Sequence, residues 1–207
     1  MSTVKQCMYL AITMLPACST IYGDTQYNDE QRNRIILESA TRQPIHGVIT
    51  AFEWERTDAD IGATRTYCVH AEIAISDQSG RYSVPTWRGL SPMIMAHYKV
   101  GMTDARERQS YERGIDLIKP FEGTTRQRFE QLGRILNSLN CPEDDIRRMK
   151  SLFVTINEEA QSLVRSDEDL RMAEMFQIEA DSAVYGSDEA QRRYLARMTE
   201  RNKGNGK

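Results

Sequence analysis

The chain has 207 residues, 40% apolar and 28% charged, a composition that supports one ordinary domain, alone or with a smaller companion, and excludes wholesale disorder. Its 27 basic and 30 acidic side chains sum to a formal −3, so the electrostatic footprint of a nucleic-acid binder is missing and no nucleic-acid partner is expected. No apolar run reaches the roughly 18 residues that a membrane-spanning helix requires.

Residues 1–5 carry one positive charge, residues 8–15 form a short apolar run, and Leu15-Pro16-Ala17-Cys18 ends it. A basic start, an apolar middle and a small residue before a cut are the layout of an export signal. The ending resembles the lipobox of bacterial lipoproteins, with Pro16 where a small residue is usual. The resemblance implies cleavage after Ala17, covalent lipid on Cys18 as the only attached group, and a membrane anchor. Ser19 after the cysteine then implies the periplasmic face of the outer membrane; separately, a protein of the envelope is the expected partner. Each buried methylene contributes about 0.8 kcal/mol, so two or more acyl chains anchor stably. An ordinary secretory cut after Gly23 competes with this reading, as does a buried first helix with Cys18 in its core. On the lipoprotein reading, residues 1–17 are the signal and 18–31 a polar tether.

Four cysteines are present. Cys7 leaves with the signal and Cys18 takes the lipid, so Cys68 and Cys141 remain in an oxidising compartment and are expected to pair. The chain-entropy account gives such a bridge roughly 4 kcal/mol.

Between residues 33 and 122 the apolar pattern has period two, broken by turn residues. Strands are expected over 34–37, 46–54, 66–76, 81–87, 92–100 and 114–119. Asp77-Gln78-Ser79-Gly80 reads as a hairpin turn. Strands at this spacing without intervening helices argue for a small antiparallel sandwich over 32–122.

Two segments carry a second resemblance. Pro44-Ile45-His46-Gly47-Val48, followed later by Asp77-Gln78-Ser79-Gly80-Arg81-Tyr82, is similar to the carboxypeptidase regulatory-like, transthyretin-related domain. Ser76 stands where that pattern has Thr, and Arg42-Gln43 where it has Thr-Gly. The resemblance implies a transthyretin-like (prealbumin-like) β-sandwich, with Pro44, Gly47, Asp77, Gly80 and Tyr82 as structural motif residues. Gly47 is expected to permit close backbone approach, and Gly80 to take the left-handed turn position. Such a module serves peptidases, receptors and free-standing lipoproteins alike, so it implies no activity.

After Gly123 the period becomes 3.6. Phe129, Leu132, Ile135, Leu136 and Leu139 form one stripe, and a longer one runs from Ile146 to Val164 behind Pro142. Ser166 caps a third helix and Ser187 starts a last one. Three to four helices are thus expected over 123–200, packed on or beside the sandwich, with 201–207 as a disordered tail. The whole is an α+β chain.

No zincin, nucleophile-elbow, phosphate-loop or dinucleotide pattern is present, so a non-catalytic binding or scaffolding role is expected. Gly123-Thr124-Thr125 reads as a helix start, and Asp144-Asp145 and Glu158-Glu159 as surface charges. Alternation places Cys68, His70 and Glu72 on one strand face, as candidate metal ligands if they converge and as disulfide and solvated face otherwise. His46 and His97 are expected on neighbouring strands. Trp54, Trp87, Tyr67 and Tyr82 either stack on a sugar or fill the core, the latter being the commoner use of such residues.

Overall fold

The structure is a computed structural model and describes residues 19–22, 32–60, 63–105, 112–139 and 141–204. The export signal, Cys18 and most of the expected tether lie outside the described residues. Two four-stranded sheets are followed by helices. The first sheet holds β1 (Ser19–Tyr22), β3 (Ile49–Asp60), β4 (Ala63–Ile75) and β6 (Met93–Tyr98). β4 pairs along all of β3, while β6 and β1 share its other edge end to end. The second sheet has the order β5 (Arg81–Ser83), β2 (Asn33–Glu38), β8 (Ile115–Pro120), β7 (Met102–Asp104).

Not all pairing is antiparallel. β2 and β8 run parallel, from Ile35 opposite Ile115 to Glu38 opposite Ile118. The chain passes through the other sheet between them, and a crossover of that length lets two neighbours run the same way. β1 occupies part of the segment expected as a tether, and the polar second half of β3 has no apolar alternation to announce it. Its pairing instead includes a Thr57–Thr66 hydroxyl contact of 2.9 Å.

The two sheets enclose one apolar cluster, with Phe52 and Trp54 from the first and Ile36, Tyr82 and Ile118 from the second. The opposite face of the first sheet meets the helices in a larger cluster. Ile49, Ala51, Cys68, Ala71 and Tyr98 pack there with Phe129, Leu132, Leu152, Phe153, Ile156 and Phe176. The first sheet is therefore the middle layer.

Among the described residues the helices are α1 (Thr125–Asn137), α2 (Glu143–Arg148), α3 (Lys150–Ser162), α4 (Asp167–Tyr185) and α5 (Ser187–Gly204). Thr124 and Gln127 close a capping box at the start of α1, and the Ser166 hydroxyl accepts from the Asp169 amide at the start of α4. The stripe expected as one long helix is two, broken at Met149 with ψ near 10°. The apolar period continues through the break, which is why the pattern hides it. α5 runs to Gly204, into the expected tail, and Arg201 ion-pairs there with Glu174 of α4.

Candidate functional site

Arg34 and Ile36 fall on the same face of β2, so alternation sends the guanidinium into the space between the sheets. Arg34 Nε and Nη2 donate to Asp116 Oδ2 and Oδ1 of β8 at 2.8 and 2.7 Å, a bidentate pair. The Tyr82 hydroxyl donates to Asp116 Oδ2 at 2.6 Å, and His97 Nε2 stands 3.4 Å from Oδ1. His97 Nδ1 in turn meets the Thr50 hydroxyl at 3.0 Å. Burial is the largest influence on Asp116 and opposes its ionisation; hydrogen bonds and charge from His97 and Arg34 together outweigh it and hold the carboxyl well below its ordinary range. Burial first, and the Asp116 charge second, push the Tyr82 phenol far up.

Hydroxyl, imidazole and carboxylate thus stand in the order of a nucleophilic relay. Thr50 is 0% exposed, however, so no substrate reaches its oxygen, and Asp116 is already shared among three donors. His97 is the member of the network that borders a cavity.

That cavity is a cleft of about 560 Å³ between the β6–β8 side of the sheets and α1. His97, Asp104, Lys119, Glu122, Gln131 and Arg134 line it together with Phe121 and Ile135. Both signs of charge stand on its wall, which suits a polar segment carrying both. One side is braced by Glu159 of α3: its oxygens receive Arg128 Nε and Nη2 at 2.8 Å each, the Tyr98 hydroxyl at 2.8 Å and the Gly101 amide at 3.0 Å. Arg128 Nη1 also donates to the Met102 carbonyl at 2.6 Å, and Gln131 bonds Thr103. Glu159 is consequently buried rather than a surface charge.

Cys68 and Cys141 form a disulfide with a sequence separation of 73. Cys68, His70 and Glu72 do not share a face. The register shifts at Trp54/Glu55, where Trp54 faces His70 and Glu55 faces Cys68, so Val69 is an extra residue that breaks the alternation. Cys68 points into the helical layer, whereas the His70 ring packs on Trp54 and stacks on Trp87 at 4.9 Å. His70 Nε2 meets Glu72 at 3.0 Å and Nδ1 meets Asp145 of α2 at 3.1 Å, so both ring nitrogens are engaged. Asp145 also accepts from the Ala71 amide at 3.2 Å and is buried, again not a surface charge. His46 contributes its carbonyl to Lys99.

The aromatics divide. Trp54 is fully buried with its indole N–H on the Leu90 carbonyl, and Tyr82 belongs to the buried network. Tyr67 donates to Asp58, and Trp87 carries His70 and the Arg88 guanidinium against its ring. The turn motif is formed: Asp77 Oδ1 accepts from the Ser79 amide, the Ser79 hydroxyl and the Arg81 amide at 2.8 to 2.9 Å. Gly47 and Gly80 both have positive φ, 70° and 74°. Close approach belongs to Gly80, where a Cβ would stand 2.7 Å from the Ile36 carbonyl and 3.0 Å from Pro44; at Gly47 the nearest atom is Lys99 Nζ at 3.5 Å.

Arg34, Thr50, Asp116, Asp145 and Glu159 were not singled out as functional residues from the sequence. Arg34 and Asp116 did leave a signal, each being a charge at an inward position of a short apolar strand. No known protein family, no curated protein and no solved structure matches the chain.

Proposed function

We propose that this chain is a lipid-anchored, non-catalytic binding module of the bacterial envelope, built on a transthyretin-like sandwich with its helices as a second layer. The Cys68–Cys141 disulfide is the observation that supports it, because bridges of this kind persist where the surroundings oxidise thiols. Burial of Thr50 supports a binding rather than a catalytic reading, and the mixed-charge cleft beside α1 is the surface offered to a partner. Fractionation of the producing cell with labelled palmitate tests the anchor: label and membrane association are expected, and both disappear in Cys18→Ser. Recovery of unlabelled full-length chain from cytosol, with Cys68 and Cys141 as thiols, would overturn the reading. Co-purification from detergent-solubilised envelope, lost on reversing Lys119 and Arg134 to Glu, tests the cleft.

A small polar ligand in the same cleft is the second reading, favoured by a volume within the range of small-molecule sites. A reproducible rise in melting temperature with one compound of a polar-metabolite panel, abolished by Lys119→Glu, distinguishes it. The geometry disfavours sugar stacking on Trp54, which presents no open ring face.

A further inference from the structure

Glu53 lies on β3 in an unusual place. The strand's alternation puts it on the face of Ile49 and Ala51, which look into the apolar cluster beneath the helices, and it is 2% exposed. Its neighbours are the two bridge sulfurs: one carboxylate oxygen of Glu53, Cys68 Sγ and Cys141 Sγ all lie within 4.8 Å of one another. Cys141 is only half-buried, so this corner is open to solvent on the side of the loop before α2.

We propose that Glu53, Cys68 and Cys141 form a redox-gated zinc site, closed to metal while the disulfide stands and open once it is reduced. A dithiol reductant attacks the more accessible Cys141 sulfur. Its two thiols supply two electrons and two protons, leaving it as a disulfide and this chain with two thiols. Zinc then displaces the two thiol protons to solvent and binds both thiolates and the Glu53 carboxylate. Two thiolates and one carboxylate match zinc, which takes sulfur and oxygen donors in a tetrahedron, with water in the fourth position. Zn–S bonds of about 2.3 Å require the sulfurs to stand roughly 3.8 Å apart. The present spacing of the three donors leaves that within reach of side-chain rotation. His70 and Glu72 are not ligands here, since they face the other core and bond each other.

In chemical terms the same corner is a cross-link when oxidised and a metal clip when reduced. Either state ties β4 to the segment entering α2.

The test uses the full chain with Cys7→Ser and Cys18→Ser, so that Cys68 and Cys141 are the only thiols. After reduction with a phosphine under argon, cobalt(II) serves as the spectroscopic probe and zinc as its competitor. One equivalent of cobalt is expected to give thiolate-to-metal charge transfer and tetrahedral d–d bands, both removed by zinc. The oxidised chain is expected to give neither. Glu53→Gln, whose oxidised form reports its own folding through near-ultraviolet circular dichroism, is expected to bind at least tenfold more weakly and to shift the d–d bands. Should Glu53→Gln fail to fold, Glu53→Asp replaces it, with a shifted d–d spectrum expected. Absence of charge transfer in the reduced parent chain, or unchanged affinity and spectrum in the folded Glu53 variant, overturns the proposal.

Discussion

Arg34 and Asp116 meet in a two-point ion pair whose side chains are 0% and 3% exposed, held between strands that run parallel. Removing one member of such a buried pair takes from the other both of its hydrogen bonds across the strands, at a cost of about 3–5 kcal/mol. Arg34→Met and Asp116→Leu are each expected to lower the free energy of unfolding by that amount in urea titrations. The double variant is expected to lose distinctly less than the sum, because it leaves neither charge behind. Additive losses would show that the pair contributes little beyond its separate contacts.

The same carboxylate sets an acid limb. Asp116 in the folded chain lies below its ordinary value of 3.8, so the native state binds its proton less readily than the unfolded chain does. Its contribution is present above about pH 4 and is lost as the pH falls below that value toward the depressed native one. Melting temperature is therefore expected to drop steeply below pH 4 in the parent chain and less steeply in Asp116→Asn, whose starting stability is lower throughout. Parallel curves for the two would remove Asp116 from the account.

Cys68→Ser is expected to leave Cys141 as a titratable thiol and to lower stability by about 4 kcal/mol, from a loop closed over a separation of 73. The loss is expected in oxidising buffer; under reduction in metal-free buffer the variant and parent chains should melt together.

Two glycines separate conformational cost from crowding. Gly80 and Gly101 both have φ above 70°, but a Cβ at Gly101 meets nothing within 4 Å, whereas at Gly80 it meets the Ile36 carbonyl at 2.7 Å. Gly101→Ala is expected to cost on the order of 1 kcal/mol, the left-handed penalty alone. Gly80→Ala is expected to cost at least twice that, measured by chemical denaturation, because strand β2 must shift to admit the methyl group.

Local signals were readable where one rule governed. Phe129, Leu132 and Leu136 announced α1, Gly123-Thr124-Thr125 its start, and Asp77 to Gly80 the turn before β5. What escaped depends on partners far along the chain. Nothing in Ser19–Tyr22 marks it as a strand until the outer half of β3 is available to pair with it. Val69 looks like any alternating residue, yet as the extra member of a bulge it separates Cys68 from His70 and dissolves the ligand set that strict alternation would align. Asp145 and Glu159 read as surface charges because adjacent acidic residues on helices ordinarily are; their burial comes from β4 and the β6–β7 turn, which reach them from elsewhere.

A sheet walled on one side by another sheet and on the other by helices ties both outer layers to the same central strands. Loosening the helical layer opens the cluster that holds Ala51 and Ala71, and loosening the second sheet opens the one that holds Phe52, so neither outer layer can leave without flooding a surface that the central strands depend on. The chain should accordingly melt as one body, with backbone and aromatic signals falling together.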